Sequence, residues 1–164
     1  MRNWLMMILR KKNSYKNIEG KGREKKMAKT KVLVVDDEED FAKALRVRLK
    51  ANGYDVVLAH DSIQAIMMAC QEKPDLIILD IMIPGEDGFI VTERLKQSQA
   101  TQYIPVIFLT GIPGGERRAH MLGASGYIMK PYHPERLLRT IHKALEIKGA
   151  QAGQKVKEAV GIAL

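Results

Sequence analysis

The chain has 164 residues, 46% of them hydrophobic and 28% charged, with a formal net charge of +8 and a single cysteine. This length fits one ordinary domain with modest extensions, and the apolar content excludes a disordered chain. The lone Cys70 excludes an intrachain disulfide, and His60, His120, His133 and His142 lack metal-ligand spacing.

The chain begins with a basic extension, residues 1–29. Residues 1–26 hold nine Lys/Arg and two Glu, whereas the remaining 138 hold 18 Lys/Arg and 17 Asp/Glu. The basicity therefore belongs to a tail, which argues against direct nucleic-acid binding by the domain. The apolar run 4–9 is too short for a membrane span or a signal peptide. The stretch "KGREKKM" can be written entirely in purine-only codons up to Met27, as a translated ribosome-binding site would be. Met27 is thus expected to be the natural start. An intact Met1 in the native protein, seen by mass spectrometry, would refute this and favour a basic arm for an anionic surface.

From residue 31 onward, short apolar runs alternate with helical patterns. The runs cover 32–35, 56–59, 76–79, 106–109 and 127–129. Near-continuous apolarity predicts strands buried on both faces, as in a parallel sheet. Between them, Phe41, Leu45 and Leu49 share one helical face, and Ile63, Ile66, Met67 and Cys70 share another. This spacing places Cys70 in the core. Residues 89–96 form a shorter amphipathic stretch, and Leu137, Leu138, Ile141 and Leu145 make the last stripe. Asp61 or Ser62 is expected to cap the second helix, and Asn52-Gly53 to stop the first. The pattern is (βα)5, an α/β doubly wound fold over 30–147. Residues 148–164 form a tail too short for a further domain. Val156, Ala159, Val160 and Leu164 could share a face there, but Gly149, Gly153 and Gly161 predict a weak helix.

Ligands of open α/β sheets bind outside the carboxyl ends of the strands. Here those ends carry Asp36 and Asp37, Asp80, Thr110, and Lys130 followed by Pro131. Carboxylates suit a hard divalent cation such as Mg2+, or nucleophilic attack on phosphorus. A lysine offers phosphate a point charge, and a threonine offers it a hydroxyl. Taken singly, each residue has an ordinary explanation. The acids of "DDEED" could complement a helix dipole, Asp80 and Thr110 could serve turns, and Lys130 could be a solvated charge. Their joint placement at one end of the correct strands is what needs explaining.

The segments "VLVVDDEED", "PDLIILDIMIPGEDGF", "IPVIFLT" and "GASGYIMKPY" together resemble the receiver domain of two-component response regulators, the CheY-like family, over about residues 30–147. The resemblance implies a flavodoxin-like sheet of order 2-1-3-4-5 and a cytoplasmic phosphorelay module rather than an enzyme. It implies that Asp80 is the phosphoacceptor. Asp36, Asp37, Asp80 and the backbone carbonyl of Met82 would hold Mg2+. Lys130 would pair with the phosphoryl group, Thr110 would be the switch hydroxyl, and Tyr127 would be the aromatic that follows it. The Lys130-Pro131 bond would be cis. Expected partners are a sensor histidine kinase or a phosphotransfer protein and a downstream protein target, with a phosphorylation-dependent homodimer as one form of output. With no effector segment after the tail, the resemblance suggests a stand-alone receiver signalling by protein–protein contact. A vestigial, phosphorylation-independent module is the alternative.

Two departures from the family pattern carry expectations. The stretch from Thr110 to Lys130 is about two residues short, so the fourth helix should be short and its leading loop, with Gly111, Gly114 and Gly115, flexible. Met82 and Ile112 flank the site where many receivers carry polar side chains. Neither can orient an attacking water, so the phosphorylated form should hydrolyse slowly. Two other phosphate chemistries fit poorly. A dehalogenase-type phosphatase places a second aspartate two residues after its nucleophile, and a flavodoxin-like nucleotide binder needs a glycine-rich loop where "DDEED" stands.

Overall fold

A computed structural model describes residues 29–159, with side chains described through residue 154. The expectations for 1–28 and for Val160 and Leu164 lie outside the described residues. In chain order the elements are β1 (Lys31–Val35), α1 (Glu39–Ala51), β2 (Asp55–Ala59), α2 (Ser62–Glu72), β3 (Leu76–Leu79), α3 (Gly88–Gln97), β4 (Val106–Thr110), α4 (Glu116–Met121), β5 (Gly126–Met129) and α5 (Pro134–Ala159). All strand pairs are parallel, in the order β2-β1-β3-β4-β5. This is the expected doubly wound, flavodoxin-like α/β fold.

The two-residue pleat of each strand sorts its side chains into two cores. Leu33, Val35, Ile77, Leu79, Val106 and Phe108 face α2, α3 and α4, where they meet Ala65, Ala69, Phe89, Leu95 and Ala119. Val32, Val34, Leu76, Ile78, Ile107, Leu109 and Ile128 face α1 and α5, where they meet Leu45, Leu49, Leu137 and Ile141. Val32 to Val35 of β1 and every side chain of β3 and β4 are at most 1% exposed, while the edge strands β2 and β5 are only partly covered. Burying each Val, Leu or Ile contributes about 1.5–3 kcal/mol, so both faces drive the fold.

The helix ends follow local chemistry. Asp61 caps α2 by accepting from the Gln64 amide, and Asp87 caps α3 by accepting from the Ile90 amide. Asn52 ends α1, and Gly53 follows at φ +89, a left-handed turn that glycine adopts without strain.

Two helices differ from the sequence reading. In α2 the buried residues are Ser62, Ala65 and Ala69, whereas Ile63 is 77% exposed, Met67 is 46% exposed and Cys70 faces solvent. Cys70 is therefore not a core residue. The core face is turned by about one residue because small side chains let α2 lie close to the sheet. The second difference is α5, which runs without a break through Gly149 and Gly153 to Ala159, past the expected boundary at 147. Each glycine costs about 1 kcal/mol of helix propensity. Against that cost, Lys148 Nζ donates to Asp75 O at 3.0 Å and reaches Asp75 Oδ1 at 3.3 Å, which fastens the extension to the domain. Among the described residues, no helix is long and apolar enough to cross a membrane.

Candidate functional site

Sheet register builds the site. Val35 pairs with Leu79, so the next residues, Asp36 and Asp80, leave the sheet side by side. Their amides remain in the ladder: Asp36 N donates to Ala59 O at 3.1 Å and Asp80 N to Val35 O at 2.9 Å. Lys130 leaves β5 at the same edge, its amide donating to Thr110 O at 2.8 Å. By pleat parity Asp36, Asp80 and Lys130 all lie on the α1/α5 side of the sheet. Thr110 and Tyr127 lie on the α4 side.

The side chains meet as this geometry requires. Lys130 Nζ bridges Asp36 Oδ2 at 2.6 Å and Asp80 Oδ2 at 2.9 Å, across separations of 94 and 50 residues. Asp36 and Asp80 are buried, at 2% and 7% exposure, while Asp37 is exposed. One carboxylate oxygen from each of Asp36, Asp37 and Asp80 lies within 4.8 Å of the others. The free oxygens of the buried pair are turned by backbone: Asp36 Oδ1 accepts from Glu38 N at 3.0 Å, and Asp80 Oδ1 from Met82 N at 3.2 Å. Burial pushes the Asp36 carboxyl above its usual range, and the hydrogen bond from Lys130 opposes this only in part. For Lys130, burial acts to lower the pKa, but the hydrogen bonds it donates to Asp36 and Asp80 outweigh this and hold the ammonium above its usual range.

An all-oxygen set with one solvent-facing member fits a hard cation that keeps several waters. The buried pair could supply fixed ligands, and Asp37 could accept hydrogen bonds from coordinated water. Met82 follows at the rim, its side chain 67% exposed. The cis Lys130-Pro131 bond is present, as expected.

Two contributors escaped the sequence reading. Lys130 Nζ lies 4.0 Å from the centroid of the Phe41 ring, which in turn meets Tyr132 edge-on at 6.0 Å. Phe41 was legible only as a core residue of α1, yet it also holds the lysine by a cation–π contact. His60 Nδ1 lies 2.9 Å from Asp36 O. A carbonyl only accepts, so Nδ1 carries the proton and the ring braces the loop after β1. The second strand thus does contribute a group, through backbone.

Thr110 is fully buried, its Oγ accepting from Ile112 N at 3.3 Å. Tyr127 donates its hydroxyl to Ile112 O at 2.5 Å, so one short loop joins both side chains. The helix beyond it, α4, has only six residues, as the shortened stretch predicts. Gly115 gives Tyr127 its place: a Cβ there would stand 2.5 Å from the Tyr127 hydroxyl and 3.0 Å from Phe89 Cζ. Gly115→Ala should therefore displace the Tyr127 ring while the domain stays folded. Side-chain NMR of Tyr127 would show the change, and an unshifted ring would refute the packing account.

Comparison with known proteins identifies the family. Residues 32–142 match the response regulator receiver domain. Response regulator PleD of Caulobacter vibrioides is 36% identical over 133 residues, which cover 80% of this chain but only 29% of PleD. A CheY-like receiver protein from Methanospirillum hungatei superposes with a TM-score of 0.70 at 25% identity, covering 76% of this chain and 99% of that one. The receiver domain of sensor histidine kinase PA1611 from Pseudomonas aeruginosa, solved with a magnesium ion coordinated in its active site cleft, gives a TM-score of 0.66 at 26% identity, covering 73% and 99%. The chain belongs to the response regulator receiver domain family.

Proposed function

We propose that Asp80 accepts a phosphoryl group from a histidine kinase or phosphotransfer protein. The supporting observation is the pairing of Asp80 with both Lys130 and Asp36 at the mouth of the acidic cluster. Asp36, Asp37, Asp80 and the Met82 carbonyl would hold Mg2+, which when bound neutralises the transferring phosphoryl oxygens. The donor's P–N bond breaks as a P–O bond forms on the Asp80 carboxylate, and the released imidazole takes a proton from solvent. Lys130 already carries its charge at the right place. Once Asp80 carries the phosphoryl group as an acyl phosphate, the Lys130 ammonium can turn from the carboxylate to the phosphoryl oxygens. Thr110 can donate its hydroxyl to the same group. Its hydrogen bond with the Ile112 amide would then pull on the loop that Tyr127 also grips, shifting a two-state equilibrium toward the α4 surface.

Incubation of the full chain with acetyl phosphate and Mg2+ tests this directly. Intact-mass analysis should show one added phosphoryl group, and a chelator should suppress it. Failure to gain that mass would leave a vestigial, phosphorylation-independent module. The adduct should decay slowly, since Met82 and Ile112 offer no polar atom to orient water from their side chains; a half-life of seconds with Mg2+ present would contradict this.

Metal binding can be read separately. At about tenfold excess over its Kd, Mg2+ should stabilise the fold by about 1.4 kcal/mol. That corresponds to a rise in Tm of roughly 5 °C. Asp37→Asn should remove most of the rise without lowering the metal-free Tm, because Asp37 is exposed and its removal relieves repulsion within the cluster. An undiminished rise would place the ion elsewhere.

A further inference from the structure

At the opposite edge of the sheet, by the amino ends of β4 and β5, lies a cleft of about 410 Å3. A strand the length of β4 separates it from the acidic cluster by roughly 13 Å. Its walls come from the end of α3, the loop before β4, the loop before β5 and the outer part of α5. Lys148 and Gln151, which belong to the helix beyond residue 147, close one side. Without the continued helix this wall would be missing.

The lining is one-sided in charge. Lys96, Lys143 and Lys148 contribute ammonium groups, Ser125 and Gln151 add neutral polar side chains, and among the described residues no Asp or Glu lines the cleft. Lys148 shares its charge with Asp75. Lys96 is different: its Nζ donates to Gln102 O at 3.2 Å and Ile104 O at 3.0 Å, both neutral carbonyls. Among the described residues, no carboxylate lies within ion-pair distance of Lys96 or Lys143. Burial holds the Lys96 ammonium below the usual lysine range, since no opposite charge compensates for its lost water. A half-buried cation of this kind is stabilised by an anion brought into the cleft. Lysine is a common point charge for phosphate. The volume falls in the range of small-molecule sites and exceeds what inorganic phosphate fills. Ile147, 48% exposed, adds apolar surface along the same wall, suited to the organic part of a ligand.

We propose that this cleft binds a phosphorylated small molecule of about nucleotide size, its phosphate between Lys143 and Lys96 and its organic part along Ile147. The site is independent of the acidic cluster, and its occupancy would fasten the outer part of α5 to the domain.

The test uses the full chain with chelator and no Mg2+, so that the acidic cluster takes no part. ADP is titrated while backbone amides are followed by NMR, with adenosine, ribose 5-phosphate and inorganic phosphate as parallel arms. Saturable shifts at 102–105, 123–126 and 143–151 are expected with ADP, at least tenfold weaker in Lys143→Glu, and absent with adenosine. Equal binding of ribose 5-phosphate would support the site and identify a sugar phosphate as its ligand class. Inorganic phosphate binding as tightly as ADP would overturn it, reducing the cleft to a charged patch. So would shifts confined to other segments, affinity unaffected by Lys143→Glu, or no saturation in the millimolar range. Since Lys143 is exposed, the variant should fold, and unchanged amide shifts away from the cleft would verify this.

Discussion

Asp80→Asn should abolish uptake of a phosphoryl group from acetyl phosphate and Mg2+, lowering the labelling rate by at least about a hundredfold, because a carboxamide is no nucleophile for phosphorus. The neighbours are poor substitutes. Asp36 is deeper, at 2% exposure, with Oδ2 held by Lys130 at 2.6 Å and Oδ1 by the Glu38 amide. Asp37 is accessible, but the bridge made by Lys130 reaches Asp36 and Asp80 and leaves Asp37 out. The variant should also remain folded. Two carboxylates with oxygens up to 4.8 Å apart repel by about 3.5 kcal/mol at an effective dielectric constant of 20. Removing one charge relieves that repulsion but also gives up the attraction between Asp80 and Lys130 at 2.9 Å, while Lys130 keeps Asp36 as partner. The two effects oppose each other, so the metal-free Tm of Asp80→Asn should stay near that of the parent. A folded, unlabelled protein makes the loss chemical rather than structural. Labelling at the parent rate would move the acceptor to another residue and end the phosphotransfer reading.

Much of this site was legible in the chain because its logic is one-dimensional. Each strand is an apolar run with a sharp end, so the first polar residue after the run marks the carboxyl edge. Asp36, Asp80, Thr110 and Lys130 were all readable in that way. The pleat goes further, dividing Asp36, Asp80 and Lys130 from Thr110 and Tyr127, and it follows from counting alternate residues along each run. What could not be read came from helix phase and from backbone. Of the α2 stripe Ile63, Ile66, Met67 and Cys70, only Ile66 packs against the core beside Ala65 and Ala69, while the other three are exposed. A periodicity argument favours the larger side chains, whereas close packing against the sheet favours the smaller ones. Phe41 was correctly placed on the inner face of α1, but its contact with Lys130 depends on a residue 89 positions away. The continued α5 depends on Lys148 reaching Asp75, a tertiary contact that no local glycine count reveals.

The same distinction between local propensity and tertiary fit decides the outcome at Gly88. By helix propensity alone, Gly88→Ala in the first turn of α3 should stabilise the protein by up to about 1 kcal/mol. The structure reverses the sign. Gly88 is buried against the segment that follows β3, its amide donating to Ile81 O at 2.9 Å. A Cβ there would lie 2.9 Å from Ile81 Cα and closer still to the Asp80 carbonyl oxygen, and both are backbone atoms that no rotamer change can move aside. Overpacking of this kind costs about 1–3 kcal/mol. The net effect should be a loss of about 1–2 kcal/mol in urea denaturation. The second consequence is chemical. To relieve the contact, α3 must move away from residues 80 and 81 or push them outward, and Asp80 moves with them. A displacement near 1 Å can lower a positioned reaction by about a hundredfold. Gly88→Ala should thus remain folded and keep all three carboxylates, yet accept a phosphoryl group far more slowly than its modest loss of stability would suggest. Parent-like labelling together with the expected destabilisation would show that the segment after β3 yields without carrying Asp80 along. Position, separately from chemical identity, would then be a weaker requirement of this site than its geometry indicates.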